Sequence, residues 1–210
     1  EPELLLVRDD RLELMERLQG PSTRAVAAPL FERLGTLSTP PGVLGVFPRP
    51  AQLDEVDLEG SLQRHGLVLG VAGVADPGNL GALARSAEAA GATALVVATG
   101  GARPFTPKAL RGSMGSLLRL PVYEISDLGR AVGALERGGF RQHIAATRGG
   151  APLDSTSFSK RVVVWMSGET GEAPAELRGC EPVTIPMAGQ VESLNVTVAG
   201  ALMLFAAGRR

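Results

Sequence analysis

The chain has 210 residues, 44% hydrophobic and 20% charged, enough apolar material to build a sizeable core and too much for a disordered polymer. Lys and Arg total 21 against 22 Asp and Glu, so the net charge of −1 excludes no class of partner. One cysteine, Cys180, excludes an internal disulfide and suits a reducing cytoplasm, while the longest apolar run, Val196 to Ala207, is shorter than the roughly 20 residues that cross a bilayer.

Residues 1–50 open with a strand-like Leu4-Leu5-Leu6-Val7, followed by helix-like stretches at Leu12–Leu18 and Thr23–Leu34 and a second short strand at Gly42–Phe47. Pro40-Pro41 and Pro48-Arg49-Pro50 break the pattern and mark a boundary. Residues 51–65 are acidic at first and read as a linker. From Leu67 onward, short apolar runs at Leu67–Val74, Ala94–Ala98, His143–Thr147, Val162–Met166 and Val183–Pro186 read as buried parallel strands. Helical patterns lie between them at Leu80–Ala90, Pro107–Leu118, Asp127–Arg137 and, more briefly, Pro174–Leu177. The alternation predicts an α/β domain, in which ligands gather where strand ends lead into helices.

Three such loops hold most of the polar residues that chemistry would use. The first is Asp76-Pro77-Gly78-Asn79-Leu80-Gly81, in which Asn79 is placed to cap a helix and Asp76 to cap or brace the loop, with Arg85 six residues beyond Asn79. The second is Ser167-Gly168-Glu169-Thr170-Gly171, where two glycines allow close backbone approach to a ligand and Glu169 can accept from a hydroxyl or hold an arginine. The third runs from Ile185-Pro186-Met187 to Ser193-Leu194-Asn195, with Ser193 expected as the cap of the apolar helix that follows. A surface turn or a capped core helix accounts for each loop taken singly. Between the first two loops, residues 101–161 carry ten basic side chains against four acidic ones, a charge excess suited to a phosphate-facing surface.

His65 and His143 stand apart from any metal-ligand spacing, so no metal site is expected. Trp165, inside an apolar strand, reads as core, and Cys180 as an ordinary loop or core residue.

Taken together, Asn79…Arg85, Gly168-Glu169-x-Gly171 and Ile185-Pro186-Met187…Ser193-Leu194-Asn195-Val196 resemble, in order, the three motifs of the SpoU (TrmH-like) branch of the SPOUT RNA methyltransferases. The resemblance covers residues 66–210, and Pro107–Gly115 is similar to the family's stretch between the first two motifs. It implies a SPOUT-type, mostly parallel sheet with helices on both faces and a C-terminal trefoil knot. Residues 1–50 would then be a small, truncated α/β domain for binding RNA substrate. It also implies a cytoplasmic homodimer using S-adenosyl-L-methionine, without metal or membrane, to methylate a ribose 2′-hydroxyl of structured RNA, ribosomal in preference to transfer RNA. Carried over residue by residue, Thr147, Gly168, Ile185, Met187, Ser193 and Leu194 would hold the cofactor. Asn79, Arg85, Glu169, Ser193 and Asn195 would serve catalysis. A non-catalytic RNA-binding protein of the same fold is the alternative, and a base-methylating enzyme a more distant one.

Overall fold

The computed structural model describes residues 2–18, 22–35, 40–168 and 173–209, divided into two compact units, Glu1–Ala51 and Gln52–Arg210. In the first, β1 (Leu4–Arg8) lies between β2 (Thr23–Val26), to which it is parallel, and β3 (Val43–Val46), to which it is antiparallel. Two short helices complete it, α1 (Glu13–Arg17) and α2 (Ala28–Leu34). The helix expected over Thr23–Leu34 is therefore half strand. β-Branched Thr23 and Val26 favour extended backbone, and the helix starts only where Pro29 can occupy its first turn.

The second unit begins with α3 (Glu55–Ser61) inside the stretch read as linker. Asp54 caps α3 in a reciprocal capping box with Asp57, which explains the acidic composition. The nearly buried Glu55 carboxylate accepts from the Ser126 amide, the Ser126 hydroxyl at 2.9 Å and the Asp127 amide at 2.6 Å. Those bonds hold its pKa below the ordinary range against the opposing effect of desolvation, itself the largest single influence.

The remaining elements are β4 (Leu67–Ala72), α4 (Pro77–Ala89), β5 (Ala94–Ala98), α5 (Pro107–Ser113), α6 (Ser116–Arg119), β6 (Val122–Ile125) and α7 (Leu128–Arg137), followed by β7 (Arg141–Ala146), β8 (Ala151–Pro152), β9 (Val162–Ser167), β10 (Glu181–Thr184) and α8 (Val196–Gly208). The strands form one sheet in the order β6-β5-β4-β9-β7-β10-β8, and every pairing is parallel. This is the expected α/β fold with a mostly parallel sheet. β6 escapes a reading of apolar runs because its four residues include Glu124 and give no continuous one. The single helix expected over Pro107–Leu118 is broken at Met114 and Gly115, both in left-handed backbone.

Alternate residues of the central strands serve two cores. Leu67, Leu69 and Val71 of β4 pack with Leu83 of α4 and Met203 and Leu204 of α8 on one face. Val68 and Ala72 face the other way, toward Trp165, Leu58 of α3 and Leu135 of α7. Trp165 is fully buried, as expected, with its indole N–H donating to Gln142 Oε1 at 2.9 Å. A Cβ on Gly70 would stand 2.1 Å from the Trp165 ring, so the indole occupies the space a side chain at Gly70 would fill.

Candidate functional site

β9 lies between β4 and β7 although β7 precedes it in sequence, so the connections on its two sides run in different directions. That is a topological switch point, and the loops at the carboxyl ends of the strands open a crevice there. A cavity of about 620 Å³ occupies it, walled by the ends of β7, β9 and β10, the loop before α8, and the first turns of α8. Thr147, Gly168, Ile185, Met187, Ser193 and Leu194 all line it, as does Asn195. Residues from separate segments between Ile144 and Met203 thus converge on one wall.

The lining is mostly small or apolar, including Ala145, Ala146, Met166 and Ala199, and its polar groups are chiefly backbone, hydroxyl and amide. Such a cavity accommodates a flat heteroaromatic ring and an aliphatic tail, with specificity from fixed backbone donors and acceptors. Gly168 brings its backbone to the wall because there is no room for more: a Cβ there would stand 2.5 Å from the Gly73 carbonyl oxygen. Arg148, exposed beside Thr147, is the cationic side chain of the lining and was not singled out in the sequence. Its signal was available, as a basic residue directly after a strand that ends in a candidate site.

The cap of α8 differs from the one expected, and of the two candidates in the first loop only one caps α4. Asn195, not Ser193, caps α8, its side-chain oxygen accepting from the Thr197 amide at 2.9 Å. The helix starts at Val196, which leaves Ser193 as exposed loop. Asp76, not Asn79, caps α4, accepting from the Asn79 amide at 2.9 Å. Pro77 fills the first helical position, so Asn79 falls within the first turn. The other Asp76 oxygen pairs with Lys108 in the first turn of α5, and this bond, with the Asn79 amide next, lowers the Asp76 pKa.

Neither Asn79 nor Arg85 is part of the cavity lining. Arg85 is exposed on α4, whereas Asn79 is half-buried near its start. The loop after β4 does meet the cavity wall through the contact of Gly73 with Gly168. Glu169 lies outside the described residues. No group of three His, Cys, Asp or Glu side chains placed to hold a metal ion occurs among the described residues, and no helix among them is long and apolar enough to cross a membrane.

The family model described as the SpoU rRNA Methylase family matches residues 66–205. The 23S rRNA (guanosine-2′-O-)-methyltransferase RlmB of Acinetobacter baylyi is 32% identical over 228 aligned positions, spanning 100% of this chain and 91% of its own. Among solved structures, the SpoU methyltransferase AviRb of Streptomyces viridochromogenes, in complex with AdoMet, superposes with a TM-score of 0.84 at 29% identity, covering 100% of this chain and 83% of that one. An AdoMet-bound rRNA methyltransferase from Sinorhizobium meliloti gives a TM-score of 0.83 at 25% identity, covering 99% and 80%.

Proposed function

Because the chain belongs to the SpoU rRNA methylase family, we propose that it transfers a methyl group from S-adenosyl-L-methionine to a ribose 2′-hydroxyl of ribosomal RNA. The observation that carries this reading is the convergence of Thr147, Gly168, Ile185, Met187, Ser193 and Leu194 on one cavity at the carboxyl ends of β7, β9 and β10. Its size and apolar, backbone-lined character fit adenosine and a folded methionine chain.

When bound, the cofactor supplies a sulfonium methyl, an electrophile with a neutral leaving group. The residues of this chain must then align a hydroxyl behind that methyl and accommodate the charge on the attacking oxygen. Ser193 and Asn195, at the rim, position the ribose and the loop that carries them. A guanidinium is a donor with no acceptor, so Arg85 holds the neighbouring phosphate or stabilises the developing oxyanion, and does not remove the proton. Asn79 and Glu169 orient Arg85 and the ribose. With the cofactor held in that cavity, transfer would exchange its carbon–sulfur bond for a carbon–oxygen bond to the ribose, the hydroxyl proton passing to solvent.

The active form is a homodimer in this reading. Val198, Leu202 and Phe205 form an exposed apolar stripe on α8, each 44–49% accessible. A second copy seated there would cover it, and it would also supply the polar side chains that the cavity lacks from its own α4. The C-terminal trefoil knot is the topology we assign to residues around β10 and α8, supported by the return of α8 from the β10 side of the sheet to pack on α4 and β9. Residues 1–50 serve as the RNA substrate-binding domain, and the reaction takes place in the cytoplasm, where ribosomal RNA is matured.

The test is transfer of labelled methyl from S-adenosyl-L-methionine to unmodified ribosomal and transfer RNA, digested to nucleosides. A 2′-O-methylated nucleoside from the ribosomal fraction is expected. RNA binding with neither cofactor binding nor methyl transfer would overturn the reading in favour of an RNA-binding protein of the same fold.

A further inference from the structure

Met114 is the one non-glycine residue with positive φ among the described residues, at φ 49° and ψ 37°. An L-residue with a long side chain adopts this conformation only at an energetic cost, and a glycine or asparagine would sit there more easily. The residue is nevertheless 67% exposed, so little packing of the methionine offsets the strain. The turn around it is firmly built. Gly115 follows at φ 91°, and Ser113 and Ser116 on either side are buried. The Arg119 guanidinium binds both oxygens of Glu88 at 2.6 and 2.7 Å and reaches the Met114 carbonyl at 3.4 Å. Arg119, with Ser116 second, holds the Glu88 carboxyl down at about 2.

What this rigid turn faces follows from the phase of α4. Gly78, Gly81, Arg85 and Glu88, spaced three, four and three residues apart, form one stripe of that helix. At one end of the stripe, a Cβ on Gly81 would stand 2.2 Å from the Ala109 carbonyl oxygen and 2.8 Å from the Ser113 amide. At the other end, Glu88 binds Arg119 of α6. Arg85, between them, lies on the stretch of α4 that runs past the α5–α6 turn, where Met114 projects into solvent.

We propose that Met114 is a substrate-positioning residue, an apolar contact for a nucleobase of the RNA whose backbone is held at Arg85. This rests on the function proposed above. A methionine suits such a contact, since its thioether is polarisable, adapts its shape and packs well against a π-face. Glu88 neutralises Arg119, while the cations Arg85 and Arg111 near the turn suit a polyanion and argue against a basic protein partner at the same spot.

The test compares Met114→Asn and Met114→Leu with the unaltered chain, reading three quantities: melting temperature, oligomeric state by sedimentation, and affinity for in vitro transcribed 23S ribosomal RNA by filter binding across a salt series. Met114→Asn is expected to hold or raise the melting temperature while weakening RNA binding at least about fivefold. The slope of log affinity against log salt should not change, because no phosphate contact is removed. Met114→Leu should bind within about twofold of the unaltered chain. Unchanged affinity of Met114→Asn overturns the proposal, and so does weakened binding that accompanies dissociation of the oligomer, which would place Met114 between copies. Weakened binding by a chain that transfers no methyl group even unaltered would leave the nucleobase contact standing and remove the proposed reaction. Failure of the unaltered chain to bind the RNA removes both.

Discussion

The Gly168 α-carbon lies so near the Gly73 carbonyl oxygen that a Cβ would stand 2.5 Å from it. Two loops, one after β9 and one after β4, are therefore in direct backbone contact, and Gly168 is the member of the pair that bounds the cavity. Gly168→Ala is expected to push the loops apart. Overpacking of this kind costs about 1–3 kcal/mol, and a displaced wall translates into a roughly tenfold or greater loss of affinity for S-adenosyl-L-methionine. Isothermal titration of the purified variant checks this, and unchanged affinity would place the cofactor elsewhere.

Gly81→Ala acts one layer further out. The added methyl would meet backbone atoms of α5, Ala109 O at 2.2 Å and Ser113 N at 2.8 Å, neither of which can rotate away. A loss of about 1–3 kcal/mol is expected, read as a lower urea midpoint with an unchanged slope. Since α4 must shift to relieve the contact, methyl transfer should fall more than cofactor affinity does.

Asn195 invites a separation of its two roles. As the cap of α8 it needs only a side-chain acceptor, which aspartate also provides. Asn195→Ala should cost about 1 kcal/mol in denaturant unfolding, and Asn195→Asp should restore that stability. If capping is all that Asn195 does, Asn195→Asp will also restore methyl transfer. If its amide donor positions substrate, the aspartate variant will be stable and poorly active.

Acid sensitivity should come from two buried histidines. Burial lowers the pKa of both His65 and His143 below the ordinary 6.5, with nearby Arg64 and Arg161 adding to the effect at His65. At His143 Glu181 opposes the shift and Arg141 supports it. The unfolded chain then takes up protons before the folded one, so stability is intact above about 6.5 and declines as pH falls through that value toward the lowered folded pKa. His143 is the sharper case, since neither ring nitrogen has a hydrogen-bond partner and Phe158 packs edge-on against the ring. His143→Phe should flatten the dependence of melting temperature on pH, and an equally steep profile in that variant would assign the effect to other groups.

The parallel strands of the catalytic unit were legible because burial on both faces demands continuous apolar runs, and Ala94–Ala98 coincides with β5 to the residue. Short or mixed elements were not. β6 is a four-residue strand at the sheet edge, and its Glu124 hides the pattern. α3 looked like a linker because capping and the Glu55 contacts to Ser126 and Asp127, which make it part of the fold, are long-range or backbone-directed. The cap of α8 was misplaced by two positions, and the first loop offered both Asn79 and Asp76, of which Asp76 is the cap. Side-chain acceptors abound in these loops, and only backbone geometry decides which one reaches the free amides. As for the site, the family resemblance, not the residue types, named six members of one cavity wall, and it did not tell that Arg85 stands outside it on the flank of α4.

All the residues walling the cavity lie between positions 144 and 203, and its last side is α8, which packs on α4, a helix made more than a hundred residues earlier. A ribosome delivers the chain from the other end. The sheet can therefore grow from β4 through β7 while the polypeptide is still being made, yet there is no pocket to fill until α8 has emerged and come home. Contacts spanning that much sequence form slowly. The protein is thus chemically inert during most of its own synthesis, and a ligand that fits the finished pocket would act as a latch on the final step, drawing the docked helix into place by mass action.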